Sequence, residues 1–183
     1  MALRDTILYK SYEVFYQHGF HASGVDLLAK QAGTTKRTLY AHFGNKEGLI
    51  EAVLAYRHEC FIGQLTNSLS NLNSQTTTTI AISYLEFLIQ WTSSDNFYGC
   101  MFINACAEFA SSEDIPHQIA RDHKFKVRQL LLAQFKSLGT DNPQQKADSL
   151  FIFGEGIIVA AQTEQRDLDW DIHSVVSMLV GER

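Results

Sequence analysis

Apolar residues recur at helical spacing along most of this chain and predict a protein built from helices. Near the start, Ile7, Leu8, Val14 and Phe15 follow this spacing, and Gly19 then supplies a helix stop. Alternating apolar and polar positions, the pattern of a half-buried strand, form no long run. The sequence also contains only two prolines. The pattern therefore predicts an all-α fold.

Three short helices are predicted ahead of a long one. They lie at residues 5–18, 25–31 and about 34–43, and the long fourth helix begins at residue 46. Ser23 begins a capping box that opens the second helix. Thr34 or Thr35 caps the third helix, and Asn45 caps the fourth. This arrangement predicts a compact three-helix head.

Further helices follow a serine- and asparagine-rich stretch at residues 66–75. They are predicted at residues 80–91, 99–110, 115–138, 143 to about 165, and from Asp169 or Asp171 to about 181. Together with the first four they predict a chain of about nine helices.

The second and third predicted helices are separated by a turn at Gly33, as in a helix-turn-helix motif. In such a motif the second helix lies in the major groove of DNA while the first crosses the backbone. Leu39 and Phe43 anchor the third helix, and its other face carries hydrogen-bonding side chains. These are Thr34, Thr35, Lys36, Arg37, Thr38, Tyr40 and His42. We therefore expect a DNA-binding domain at residues 1–47, followed by a larger helical domain at 48–183.

The charge of the chain supports this division once it is counted by segment. The formal net charge of −5 disfavours contact of the whole protein with nucleic acid. Residues 1–50, however, carry six Lys or Arg and four acids, whereas the remaining residues carry nine and sixteen. A basic head on an acidic body is compatible with DNA binding by the head alone.

The same segment resembles the TetR family of transcription regulators. The resemblance rests on Ala32-Gly33, on the run Thr-Leu-Tyr-Ala-His-Phe at residues 38–43, and on Asn45-Lys46. A later run from Gly99 to Phe109, followed by His123-Lys124, is similar to a pattern found within the family. The effector domains of this family diverge, and the remainder of the chain matches it only in helix count.

The resemblance implies DNA contacts for particular residues of the head. It implies phosphate contacts from Ser23, Tyr40, His42 and Lys46, and contacts to bases or phosphates from Thr34, Thr35, Lys36, Arg37 and Thr38. Many relatives carry threonine where this chain has Gly24, which leaves Ser23 as the hydroxyl at the start of the second helix.

Dimerisation is expected because a single helix-turn-helix reads few base pairs. Two copies would place their recognition helices about 34 Å apart on a palindromic site. The last two predicted helices are the expected interface. The eighth is apolar nearly all round, and Gly154 and Gly156 allow close approach in a four-helix bundle formed with the partner. The predicted interface consists of Leu150, Phe151, Phe153, Gly154, Ile157, Ile158 and Ala161. The alternative is an ordinary core helix in a monomer.

The fifth to seventh predicted helices carry a surplus of aromatic and long apolar side chains that could line a ligand pocket. Asn104 and Glu108 share a helical face, which His123 could meet. A buried carboxylate at Glu108 needs a partner, and His123, Lys124 and a ligand are the candidates. A structural network and an effector contact both remain open. The predicted ligand-binding residues are Tyr84, Leu88, Trp91, Met101, Asn104, Glu108 and His123.

Enzyme and metal sites find little support in the sequence. It contains no nucleophile elbow, phosphate loop or zinc-ligand spacing, so we expect neither catalysis nor a cofactor. His58, Cys60, His117 and His123 form no HxxxH or CxxC pair, and no metal site is expected.

The cysteines and the chain start indicate the compartment. Three cysteines without CxxC spacing do not predict a disulfide framework, although a redox role for Cys100 or Cys106 stays open. Charged residues occupy the positions where a signal peptide needs an apolar stretch, and no long uncharged apolar run occurs. We expect a soluble, cytoplasmic protein without membrane contact.

These observations predict a transcription repressor that binds a palindromic operator as a homodimer and is released by an unidentified small molecule. Repression is the default that the family resemblance implies. The effector is expected to bind between the fourth and seventh helices and to shift the fourth helix, together with Lys46 and the head. The alternative is the same fold acting as a protein-binding module, with a closed core near Asn104.

Overall fold

A computed structural model describes residues 2–72, 74–164 and 171–181 of the chain. All regular secondary structure within these ranges is helical, which confirms the all-α prediction. The helices are α1 (Leu3–His18), α2 (Val25–Gln31), α3 (Lys36–Phe43), α4 (Lys46–Ser70), α5 (Thr77–Thr92), α6 (Met101–Glu108), α7 (Ile115–Ser137), α8 (Pro143–Glu164) and α9 (Ile172–Val180). None of these helices combines the length and the apolar character needed to cross a membrane.

Most helix starts coincide with the predicted capping residues. The Thr35 hydroxyl accepts a hydrogen bond from the Thr38 N–H at 3.2 Å, and Asn45 Oδ1 accepts one from the Gly48 N–H at 2.8 Å. Asp171 caps α9 in the same way, whereas the other candidate, Asp169, lies outside the described residues. These side chains satisfy backbone N–H groups that have no partner within the helix.

Some helix starts and caps differ from the prediction: α1 begins at Leu3 rather than at residue 5, and α6 begins at Met101 rather than at residue 99. Gly24 is the N-cap of α2 and provides no side-chain hydrogen bond, so the capping box predicted from Ser23 is wrong. α5 begins at Thr77, three residues ahead of the predicted start, because Thr76 and Thr79 cap each other's backbone N–H groups. The apolar pattern begins only at Ile80, so periodicity alone missed this first turn.

The chain divides into two compact units. Unit 1 comprises Met1–Cys60 and Met101–His123, and unit 2 comprises Phe61–Cys100 and Lys124–Arg183. Unit 1 therefore contains α6 in addition to the three-helix head. The predicted functional boundary at residue 47 is a different division and stays a prediction.

Buried apolar side chains from the predicted stripes form the core of each unit. In unit 1 they include Phe15, Leu28, Leu39 and Leu49. In unit 2, α5 packs against α8 and α9. Gly154 makes this packing close, because a Cβ there would lie 2.7 Å from both a Leu88 methyl carbon and the Tyr84 hydroxyl oxygen.

Candidate nucleic-acid interface

α3 separates an anchored apolar side from a polar outer side. Leu39 is completely buried and fixes the helix in unit 1. Lys36, Arg37 and His42 are exposed, whereas Tyr40 is half-buried. The helical period thus places the charged side chains outward because Leu39 occupies the core.

Eight of the nine predicted DNA-contact residues lie at the surface, either exposed or half-buried. They are Thr34, Thr35, Lys36, Arg37, Thr38, Tyr40, His42 and Lys46. No Asp or Glu occurs anywhere between residues 34 and 46. An exposed guanidinium at Arg37 can donate two hydrogen bonds to one guanine edge, and the neighbouring Lys36 can neutralise a phosphate.

Ser23 is placed differently from the other eight residues. Its side chain is fully buried, and its hydroxyl donates a hydrogen bond to the Gly19 carbonyl at 2.6 Å. This hydroxyl is therefore occupied within the protein, and the geometry disfavours the phosphate contact predicted for it. Ser23 instead closes the turn between α1 and α2.

The hydroxyl groups at the start of α3 are already engaged with each other. The Thr35 and Thr38 hydroxyl oxygens lie 3.0 Å apart, and Thr35 also caps the helix. A hydroxyl can donate and accept at once. Thr35 can therefore contact DNA and still hold the first turn of α3 in place.

Two cations flank α3. The Lys46 Nζ lies 3.4 Å from the His21 carbonyl oxygen, and the Arg4 guanidinium lies 5.0 Å above the centre of the Phe43 ring. An ammonium has three donors, so Lys46 keeps the capacity to bind a phosphate beside the N-terminus of α4. The Arg4 contact was not predicted, because no spacing rule joins a residue of the first helix to the end of the third.

Comparison with known proteins identifies this head. The sequence profile described as bacterial regulatory proteins, tetR family, matches residues 7–53. The HTH-type transcriptional repressor ComR of Escherichia coli K12 is 30% identical over 167 residues, which cover 90% of this chain and 80% of that protein. The chain belongs to the TetR family. It is accordingly a DNA-binding transcription regulator and not an enzyme.

Solved structures agree with the fold of this TetR-family regulator. A TetR-type regulator from Streptomyces avermitilis superposes with a TM-score of 0.85 at 20% identity, covering 98% of this chain and 96% of that one. AibR, solved in complex with isovaleryl coenzyme A and operator DNA, superposes with a TM-score of 0.64 at 18% identity and covers 98% and 99% of the two chains. At these identities the likeness concerns the fold alone.

The predicted ligand-binding residues of the TetR-family regulator are divided between the two units. Tyr84, Leu88 and Trp91 belong to unit 2, where Tyr84 and Leu88 pack directly on α8 at Gly154 and are buried. Burial raises the pKa of the Tyr84 hydroxyl, with smaller contributions from Glu155 and Cys100. A ligand would have to displace this packing to lie between Tyr84 and α8. The ligand role of these residues stays a prediction.

Met101, Asn104, Glu108 and His123 belong to unit 1. The His123 ring is buried, stacks on Phe102 with ring centroids 3.6 Å apart, and brings its Nδ1 to 3.1 Å from the Nδ1 of His58. The Glu108 carboxylate is instead bound by backbone N–H groups of Phe20 and His21. The geometry therefore favours the structural alternative for Glu108.

Lys124, the third candidate partner for Glu108, pairs with another acid in unit 2. Its Nζ lies 2.7 Å from the Glu155 carboxylate and 3.5 Å from the Cys100 sulfur. Burial lowers the pKa of the Lys124 ammonium, but Cys100 and Glu155 together outweigh this effect and leave the pKa raised.

Most of the residues predicted to form the dimer interface are buried within a single chain. Leu150, Phe151, Gly154, Ile157, Ile158 and Ala161 are buried, and Phe153 is half-buried. A buried side chain offers no surface to a second copy unless the chain rearranges. The outward face of α8 carries Ile152, Gly156 and Val159 instead. The all-round apolar character of α8 concealed this distinction.

Proposed function

We propose that this TetR-family regulator is a ligand-responsive repressor that binds a palindromic operator as a homodimer in the cytoplasm. The observation that carries the proposal is the outer side of α3, which presents Lys36 and Arg37 while Leu39 anchors the helix. This arrangement has the side chains needed to bind phosphates and to read base edges. ComR, which is 30% identical to this chain over 167 residues, is a transcriptional repressor, and this supports repression.

The dimer is proposed to form through the outward face of α8 together with α9. Ile152 and Val159 are 64% and 45% exposed, and Met178 of α9 is 73% exposed. Nothing lies within 4 Å of a Cβ added at Gly156, so the backbone is open to close approach there. Large exposed apolar side chains on neighbouring helices are typical of a protein contact.

The effector is proposed to be a small molecule that favours a dimer geometry unsuited to the operator. AibR, which shares the fold, was solved in complex with isovaleryl coenzyme A and operator DNA, and this supports the binding of a small molecule by a regulator of this fold. A modest response needs a difference of about 1–3 kcal/mol in effector affinity between the two dimer geometries. Tyr84, Leu88, Trp91, Met101, Asn104 and His123 stay the candidate ligand residues, whereas the contacts of Glu108 favour a structural role.

The experiment that tests this proposal is selection of binding sites from random duplexes. The wild type and the double variant Arg37→Ala with Lys46→Ala are compared at two salt concentrations. We expect a palindromic motif for the wild type, salt-dependent affinity, and loss of the motif in the variant. Absence of an enriched motif with either protein would contradict the proposal and favour the protein-binding alternative.

A further inference from the structure

The turn between α1 and α2, residues 19–24, is held by a carboxylate from a distant part of unit 1. Glu108, the last residue of α6, accepts two hydrogen bonds from successive backbone N–H groups of this turn. Its Oε1 lies 2.9 Å from the Phe20 nitrogen, and its Oε2 lies 2.6 Å from the His21 nitrogen. The His21 Nδ1 lies 3.2 Å from the same Oε2.

The shape of the turn matches the carboxylate. Gly19 has a φ of 83°, a conformation that side-chain-bearing residues rarely adopt. A Cβ at Gly19 would lie 2.9 Å from the Glu108 Oε1, so the glycine also makes room for the acid. Successive N–H groups that converge in a turn form a concave site for an anion. Here the protein supplies the anion itself.

The position of Glu108 is unfavourable for an acid on local grounds. It ends α6, where the helix dipole places partial negative charge and disfavours a carboxylate. The side chain is only 23% exposed, so water solvates the charge of the carboxylate incompletely. The donors of the α1–α2 turn therefore stabilise the charge. An acid at such a position indicates a role outside its own helix.

Neighbouring contacts connect the same turn to both α6 and α4. Phe109 follows Glu108 in the chain and packs against this turn. The centroid of its ring lies 5.9 Å from that of Phe20 and 4.8 Å from that of His21. On the other side, the His21 carbonyl accepts the hydrogen bond from Lys46 at the start of α4. The turn is thus a junction at which α6 and the residues flanking the helix-turn-helix meet.

We propose that Glu108 is a positioning residue for DNA binding. Its carboxylate fixes the α1–α2 turn on α6, and through this turn it sets the position of α2, α3 and Lys46 for the operator. The inference rests on the proposed function and assigns a positioning contact to it.

The test compares Glu108→Gln with a matched control. Glu113→Gln removes the same charge from an exposed side chain of unit 1. Loss of one negative charge by itself favours DNA binding, so a lower affinity of the Glu108 variant cannot arise from net charge. His21→Ala removes the exposed imidazole but keeps both backbone N–H groups. This variant therefore distinguishes the contribution of the His21–Glu108 ion pair from that of the backbone hydrogen bonds.

Two measurements are made on each full-length protein. Hydrogen exchange without DNA measures the exchange rates of the backbone amides of residues 19–24. Titration with the selected duplex measures operator affinity. We expect Glu108→Gln to speed exchange of the Phe20 and His21 amides and to lower operator affinity, each by about tenfold, because a charged hydrogen bond is lost. Glu113→Gln is expected to match the wild type, and His21→Ala to change either value by about twofold at most.

Distinct results would overturn the proposal. Unchanged exchange in residues 19–24 would show that Glu108 does not hold the turn. Faster exchange with operator affinity equal to that of Glu113→Gln would show a structural contact without a role in DNA binding. Failure of the wild type to bind any duplex, with exchange still sensitive to Glu108, would instead remove the proposed function and leave the contact intact. If Glu108→Gln does not fold, Glu108→Asp serves, with an intermediate loss of both values expected.

Discussion

α3 and α8 differ in how well the sequence indicates the residues that meet a partner. On α3, the predicted contact residues Lys36 and Arg37 are exposed, as a DNA contact requires. On α8, Leu150 and Ile157 are predicted to meet a second copy, yet the single chain already buries them. For both helices the predicted partner rests on side-chain chemistry alone.

The difference follows from what each type of side chain gains on burial. A charged group that is buried without a partner is costly, so Lys and Arg on a short helix must face outward. An apolar side chain gains the same transfer free energy in its own core as in an interface. Apolar residues on all sides of a helix therefore predict burial without indicating which side is buried by the chain itself.

The largest effect is expected from truncation in the core-facing side of α8. Leu150→Ala should lower the free energy of unfolding by about 2–5 kcal/mol, because the side chain is fully buried. Ile152→Ala, on the outward side, should leave the fold of the chain intact and weaken dimerisation. Urea unfolding and analytical ultracentrifugation check the two effects. If Ile152→Ala instead destabilises the fold and Leu150→Ala weakens dimerisation, the interface predicted from the sequence is right and the proposed outward face is wrong.

A smaller loss is expected from Gly154→Ala, which tests the same side of α8. The added Cβ meets Leu88 and Tyr84, both buried, and overpacking of this kind costs about 1–3 kcal/mol. The control is Gly63→Ala in α4, where the Cβ has open space and helix propensity should add about 0.5–1 kcal/mol of stability. Thermal unfolding of both variants measures the difference. Equal stability would mean that α8 does not pack closely at this position.

On α3, Arg37→Ala should weaken operator binding by about 1–3 kcal/mol if the guanidinium reads a base. The control Lys126→Ala removes an exposed cation from unit 2 and should have little effect on the same duplex. Titrations at several salt concentrations separate base reading from phosphate contact, because loss of a phosphate contact lowers the salt slope by about one. An equal loss in the two variants would indicate a general charge effect.

The smallest effect is expected at the first turn of α3. Thr35→Ala removes the N-cap and should destabilise the head by about 0.5–2 kcal/mol, whereas Thr35→Ser keeps the hydroxyl and should stay close to the wild type. Circular dichroism during heating measures stability, and the duplex titration measures binding. If serine restores stability but not operator affinity, the threonine methyl group contributes to the DNA contact.

Local features of the fold were predictable because neighbouring residues determine them. Thr35, Asn45 and Asp171 cap the helices that follow them, and each is a short polar side chain next to an apolar stripe. The start of α5 was missed because the capping box at Thr76 and Thr79 lies in a run of four threonines without apolar periodicity.

Long-range contacts were not predictable from spacing. Phe20 and Glu108 are 88 residues apart, and no local rule connects an acid at the end of one helix to backbone N–H groups of a distant turn. The unfavourable place of Glu108 at a helix C-terminus was the available signal. Arg4 on Phe43 is a similar case, since both residues read locally as ordinary members of their own helices.

The measurement that tests the account most directly uses the selected palindrome and the same duplex with about five base pairs, half a helical turn, inserted between its half-sites. If a dimer places two copies of α3 in successive major grooves on one side of the DNA, the insertion should reduce affinity of the wild type to that for random duplex. Unchanged affinity for the lengthened site would contradict binding by a dimer with fixed spacing between its recognition helices.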